Sequence, residues 1–204
     1  MPKPRREKER EQRRAHILEA AERVFGRRPF DQVSMAEIAA EAELGMQGIY
    51  GHFRSKSALY QAVILGRMRA FEADVEAAMR DGKGPRDRLL RMAATFARLF
   101  QRAPYFFPMF LREKNQTEWS EEPRFGAEVR DGFLREMARV RSISEEGVRT
   151  GDLRGEDPRF LAMLAMNVML SSLQYHLQFR PDEAMEDVVA RAERCLLDGV
   201  GRKG

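Results

Sequence analysis

The 204-residue chain has one cysteine, Cys195. No internal disulfide can form, which suits a reducing compartment. Its three histidines, His16, His52 and His176, stand far apart, and no Cys/His set has metal-ligand spacing, so no metal site is expected. The nucleophile-elbow, phosphate-loop and dinucleotide glycine patterns are all missing. With no positioned acid, base or nucleophile, neither an enzyme nor a bound cofactor is expected, and the abundant Asp/Glu pairs read as solvated helix faces. Long apolar runs are scarce as well. The oiliest stretch, around Phe160 to Leu173, contains Asn167, Ser171 and Ser172 and falls short of the ~20 apolar residues of a membrane span. The basic N-terminus leads into no signal-peptide core. The expected location is the cytoplasm, with no membrane partner.

What the chain has is charge, periodicity and clean helix punctuation. Residues 1–69 hold 14 Lys/Arg against 9 Asp/Glu, and the remainder holds 22 against 23. The bias is sharpest in residues 1–14, with seven basic and three acidic side chains, which predicts a basic arm over 1–13 able to meet phosphate. Ile17, Leu18, Ala21, Val24 and Phe25 form one helical face ended by Gly26. Ser34 and Glu37 form a capping box for a second helix, with Met35, Ile38, Ala39 and Ala42 inward. After Glu43-Leu44-Gly45 a short third helix runs to Phe53. Ser55 caps a fourth.

Asp81 to Pro85 is the clearest break. A helix carrying Leu89, Ala93, Phe96 and Phe100 follows, then a short or kinked segment from Tyr105 to Leu111 around Pro108. A loop is predicted over 115–123 and a long helix from about Phe125 to Arg149. Asp157-Pro158 starts a helix apolar around its whole circumference, a pattern that calls for burial on all sides. Pro181-Asp182 is read as the start of the last helix. No strand and no repeat is found, so the predicted class is all-α: an N-terminal helix-turn-helix domain followed by a helical ligand-binding and dimerisation domain.

Two short helices joined by a tight turn, here Ser34 to Phe53, are the core of a helix-turn-helix. The wording is more specific than the spacing. "ILEAAERVF", "VSMAEIAAEA", "GIYGHFRSKSAL" and the continuing "YQAVI" closely resemble the DNA-binding domain of the TetR family, the tetracycline-repressor type of bacterial regulator. The resemblance covers residues 14–65. It implies a DNA-binding domain at 14–60, an effector-binding and dimerisation domain at 61–204, and a regulator, usually a repressor, released from DNA by a small molecule.

Carried over position by position, Gly45 to His52 would form the groove helix, including Met46, Gln47 and Gly48. Tyr50 and His52 would lie against the DNA backbone. Lys56 would clamp a phosphate, and Ser34 joins this DNA-binding set. Glu43 stands where the family's turn usually has Gly, and Gln47 where Gly is common. A Gln amide can pair bidentately with adenine. Residues 31–54 carry four acids and one base, a balance unfavourable for DNA.

Aromatics and Met concentrate between residues 96 and 137. Phe96, Phe100, Tyr105, Phe107, Phe110, Phe133 and Met137, with Met166, are the expected lining of a pocket for an apolar effector: an aromatic compound, a fatty acid or its thioester, or a lipophilic drug. Arg98, Arg102, Arg112 and Lys114 are placed to meet an acidic head. Leu161, Leu164, Val168, Val189 and Leu196 are the expected homodimer interface, pairing two protomers on double-stranded operator DNA. The alternative is an architectural or adaptor helix-turn-helix protein without an effector. That alternative calls for a basic face throughout, whereas the last two-thirds is slightly acidic.

Overall fold

The computed structural model describes residues 4–119 and 127–197, and the ordered elements among them are helical. They run α1 (Arg5–Arg27), a single 3-10 turn (Phe30–Gln32), α2 (Met35–Glu41), α3 (Met46–Tyr50), α4 (Lys56–Met79), α5 (Pro85–Arg102), α6 (Phe106–Trp119), α7 (Ala127–Thr150), α8 (Pro158–Phe179) and α9 (Met185–Leu197). The all-α class expected from the periodicity holds. The capping residues act as read: Ser55 Oγ accepts the Ala58 amide at 3.1 Å, Asp157 accepts the Arg159 amide at 2.8 Å, and Gly151 ends α7 at φ 81°.

The chain forms two compact units. The first comprises the described residues of 1–69 and 103–132, the second those of 70–102 and 133–204. The division is not the single cut at residue 60 drawn from the sequence, because α6 belongs with the N-terminal helices. In the first unit α1 packs on α2 and α6. Its core is Ile17, Ala21, Phe25, Ile38, Ile49, Phe53 and Leu59, all buried. Tyr60 packs edge-on to Phe25 at 4.8 Å, and its hydroxyl donates to the buried Glu113 carboxylate at 2.7 Å. Arg67 meets the buried Glu22 at 2.7 Å, and Arg112 donates to the Phe25 carbonyl. A Cβ on Gly26 would lie 2.4 Å from the Tyr105 carbonyl oxygen, so only glycine lets α1 and the start of α6 approach this closely.

In the second unit α9 packs on α5 and α8. Its core includes Phe71, Val75, Leu89, Met92, Phe96, Val140, Met169, Leu173 and Val188. Phe96 packs edge-on against Phe71 and Phe100, with centroids 5.4 Å and 4.5 Å away.

Four sequence readings change. The arm is helical from Arg5, because α1 continues through it. Helix α6 neither kinks at Pro108 nor yields to a loop at 115. Pro108 is the third residue of α6, where the amide it lacks has no intrahelical partner. Helix α9 starts at Met185, after a turn over 181–183. And α8 is not buried all round: Phe160, Met163, Leu164 and Tyr175 are exposed on one side, together with Asn167, Ser171 and Gln174. By length and composition α8 is long and apolar enough to cross a membrane, since its interruptions are uncharged. The side chains of Lys114 and Trp119, and the residues Phe125 and 120–123, lie outside the described part.

Candidate nucleic-acid interface

The geometry starts with the cap on α2. Ser34 Oγ accepts the Glu37 amide at 3.2 Å, and Glu37 Oε2 accepts the Ser34 amide at 2.7 Å, so each end satisfies the other. The Ser34 hydroxyl also donates to that carboxylate at 3.0 Å, so it serves the cap first. The Ser34 amide and the Arg28 guanidinium, 2.7 Å from Glu37, hold this carboxyl down at about 2. Arg23 and Arg27 approach Glu41 at 2.6 Å and 3.5 Å. Two of the four acids in 31–54 are therefore countered by arginines of α1 and its C-cap, and the local charge problem read from the sequence is largely cancelled.

The turn closes with Leu44 N donating to Ala39 O at 2.9 Å and Glu43 N to Ala40 O at 3.1 Å. This geometry puts Glu43 at φ 52°, left-handed, among the described residues a unique non-glycine case. It is the position where glycine is the usual occupant, and the reason is now explicit.

Helix α3 is five residues long and held from below by Ile49 and, just beyond it, Phe53. Met46, Gln47 and Tyr50 are exposed, Met46 at 40% and Tyr50 at 51%. Gly45 has open space around its missing Cβ, and Gly48 has only the Leu44 side chain, at 3.6 Å. These glycines are not demanded by the fold of the free protein. Their bareness leaves the backbone accessible at the surface that would meet DNA.

Two expected contacts stand differently. The Lys56 ammonium donates to the Phe30 and Val33 carbonyls at 2.9 Å and 2.6 Å and sits 4.3 Å from the Phe30 ring centroid. Two of its three protons are committed to the loop before α2, leaving one for an outside anion. His52 is half-buried. Burial and then the guanidiniums of Arg10, Arg13 and Arg14 push its imidazole below the usual range. Those three arginines were not singled out individually from the sequence. The signal available was helical phase, since Arg10, Arg13 and Arg14 continue the face that Ile17 and Ala21 bury. His16 Nε2 lies 3.0 Å from the Ala42 carbonyl, tying α1 to the end of α2.

The eight expected pocket residues do not form one lining. Tyr105, Phe107 and Phe110 lie in the first unit, while Phe96, Phe100, Phe133, Met137 and Met166 lie in the second. Helical period shows which residues turn inward, but not into which of two cores. Arg112, expected at the pocket mouth, is bound to the end of α1. Within the second unit an apolar crevice of about 40 Å³ is lined by Phe71, Phe96, Val140, Met166 and Met169, and also by Val168, Val189 and Leu196. These last three were expected at the dimer interface. They are only partly exposed, because α9 packs across α8 and α5 there. Leu161 and Leu164 line a wider hollow of about 330 Å³ with Phe160, Arg86, Arg154 and Cys195.

Among known proteins, residues 17–63 match the family described as "Bacterial regulatory proteins, tetR family". The chain is 26% identical over 184 residues to the HTH-type transcriptional activator FasR of Mycolicibacterium smegmatis, across 88% of this chain and 81% of that one. Its fold is that of AibR, solved in complex with isovaleryl coenzyme A and operator DNA (TM-score 0.74, 23% identity, 89% of this chain and 96% of that). FadR from Bacillus subtilis, solved with stearoyl-CoA, has the same fold (TM-score 0.71, 15% identity, 92% and 99%).

Proposed function

We propose that this chain, whose residues 17–63 match the tetR family of bacterial regulatory proteins, is a transcriptional repressor released from a near-palindromic operator by a fatty acyl thioester. The observation that carries the DNA half is the outward set Met46, Gln47 and Tyr50 on a helix anchored by Ile49 and Phe53. Two copies would place two such helices in successive major grooves, about 34–36 Å apart. The exposed face of α8, with Phe160, Met163, Leu164 and Tyr175, is the surface we assign to that pairing.

The effector half rests on the second unit's apolar crevice and on the acyl-CoA ligands of AibR and FadR. At about 40 Å³ the crevice is far below the ~300 Å³ of a small-ligand site, so the ligand must bind an opened form more tightly than this one. That differential affinity is what would release DNA.

Selection of operators from random duplexes, repeated with and without long-chain acyl-CoA, tests the proposal. A symmetric motif lost on acyl-CoA addition is expected. Gln47→Ala should relax preference at one base position, by about 1–3 kcal/mol if it reads an adenine. An asymmetric motif, or binding indifferent to acyl-CoA but sensitive to a polar metabolite, counts against it.

A further inference from the structure

Helix α1 is longer than its core. Its first buried residue is Ile17, and Pro4 to His16 are all exposed. The extension keeps the phase of the buried part. Counting back from the buried Ile17, Ala21 and Val24 by threes and fours, the same face is occupied by Arg14, Arg13, Arg10 and Arg6. The acids fall elsewhere: Glu9 lies away from that face and pairs with Arg5 at 2.8 Å, and Glu7 and Glu11 sit on one flank. The direction of the arginine face is marked by Arg14, whose guanidinium lies 4.9 Å from the Phe53 ring centroid, just past α3, and by Arg10, Arg13 and Arg14 together lying near enough to act on the His52 imidazole. The face therefore turns toward the helix-turn-helix, and at about 1.5 Å per residue it runs about 12 Å beyond Arg14.

We propose that Arg6, Arg10 and Arg13 form a second, sequence-independent DNA-binding surface, a rigid helical rail that lies along the phosphate backbone beside the groove entered by α3. The inference rests on the regulator reading and adds a site to it. Three features support a rail rather than a solvated tail. The charges are single-signed on one face. They are preordered by a helix, so little conformational entropy is lost on binding. And Arg10 and Arg13 lie near His52, two residues past the end of α3.

The test uses the full chain and a mixed-sequence duplex, with affinity measured by fluorescence anisotropy across a salt series. The triple variant R6Q/R10Q/R13Q should lower the slope of log affinity against log salt by about 2–3, since each lost phosphate contact removes about 0.9. The double variant R5Q/K8Q, on the other side of the helix, should change it by less than about 1. The triple R6K/R10K/R13K should restore the wild-type slope. Loss in proportion to charge removed from either side, or an unchanged slope in the triple Gln variant, overturns the rail while leaving the regulator reading intact. A wild-type chain with no salt-dependent affinity for duplex DNA overturns both.

Discussion

The first unit is tied by directed bonds and the second by apolar packing. In the first, Tyr60 to Glu113, Arg67 to Glu22, Arg112 to the Phe25 carbonyl and Lys56 to two carbonyls fix helices from distant parts of the sequence. In the second, aromatic and Met side chains of α4, α5 and α8, with Val189 and Leu196 of α9, surround a narrow crevice. Several of its ion pairs, Arg88 to Glu146, Arg91 to Asp87 and Arg141 to Glu145, are partly exposed and weak, while Arg135 donates twice to Glu72 and Arg191 meets Glu183. One of its buried carboxylates, Glu136, accepts no hydrogen bond, with Arg139 Nε at 3.5 Å. Directed bonds tolerate little displacement, whereas Met and aromatic contacts can be remade in a new arrangement. The contrast leaves the first unit the more rigidly specified of the two.

The largest expected break in the contrast is Gly26→Ala. The new methyl group meets a backbone carbonyl, so the first unit should lose about 1–3 kcal/mol or more. Gly45→Ala, with open space around it, should stay within about 0.5 kcal/mol. Thermal denaturation of both variants checks the pair, and similar melting points would contradict the close α1–α6 approach.

Next is the buried polar pair. Tyr60→Phe should cost about 1.5–3 kcal/mol, the worth of a hydrogen bond to a charged group. In the second unit, Glu136→Gln should be neutral or stabilising at pH 7. Burial raises the folded-state pKa of Glu136, so its ionisation on passing upward through that value opposes folding. Wild-type stability should therefore fall as pH rises through that range, and the Gln variant should lack that slope in urea titrations.

These results also bear on what was legible beforehand. The capping box at Ser34 and Glu37, the Asp157-Pro158 start and the Gly151 stop are local signals, and the structure repeats them. The bonds that set α6 beside α1 leave no such trace. Tyr60 and Glu113 are 53 positions apart, and nothing in the "YQAVI" stretch that Tyr60 opens points to Glu113. The same lack of long-range information hid that Val168 of α8 and Val189 and Leu196 of α9 line the crevice of the second unit. The setting of Lys56 is hidden for a related reason: its partners are backbone carbonyls, which no side-chain pattern reveals.

Acid sensitivity should separate the units further. The Glu37 carboxyl, held at about 2, supports the first unit fully above pH 4.5 and is progressively lost as pH falls toward 2. Glu37→Gln should flatten that part of the acid-unfolding curve, followed by the circular dichroism of the full chain. The smallest effect expected is at Glu43. Relieving its left-handed backbone with Glu43→Gly should stabilise the chain by about 1 kcal/mol or less. A destabilised Gly variant in chemical denaturation would mean that this side chain has a duty of its own.

The five-residue helix α3 has a consequence for how such a protein changes over generations. Its buried anchors are Ile49 and, just past it, Phe53, while Met46, Gln47 and Tyr50 are exposed. Mutations at the outward positions should therefore cost folding little, and under the proposed function selection on them would act through the bases they meet. Duplicated copies can drift to new target sequences without passing through an unstable ancestor. Reassigning the target by design likewise needs only those few surface positions to be randomised, with Ile49 and Phe53 held fixed.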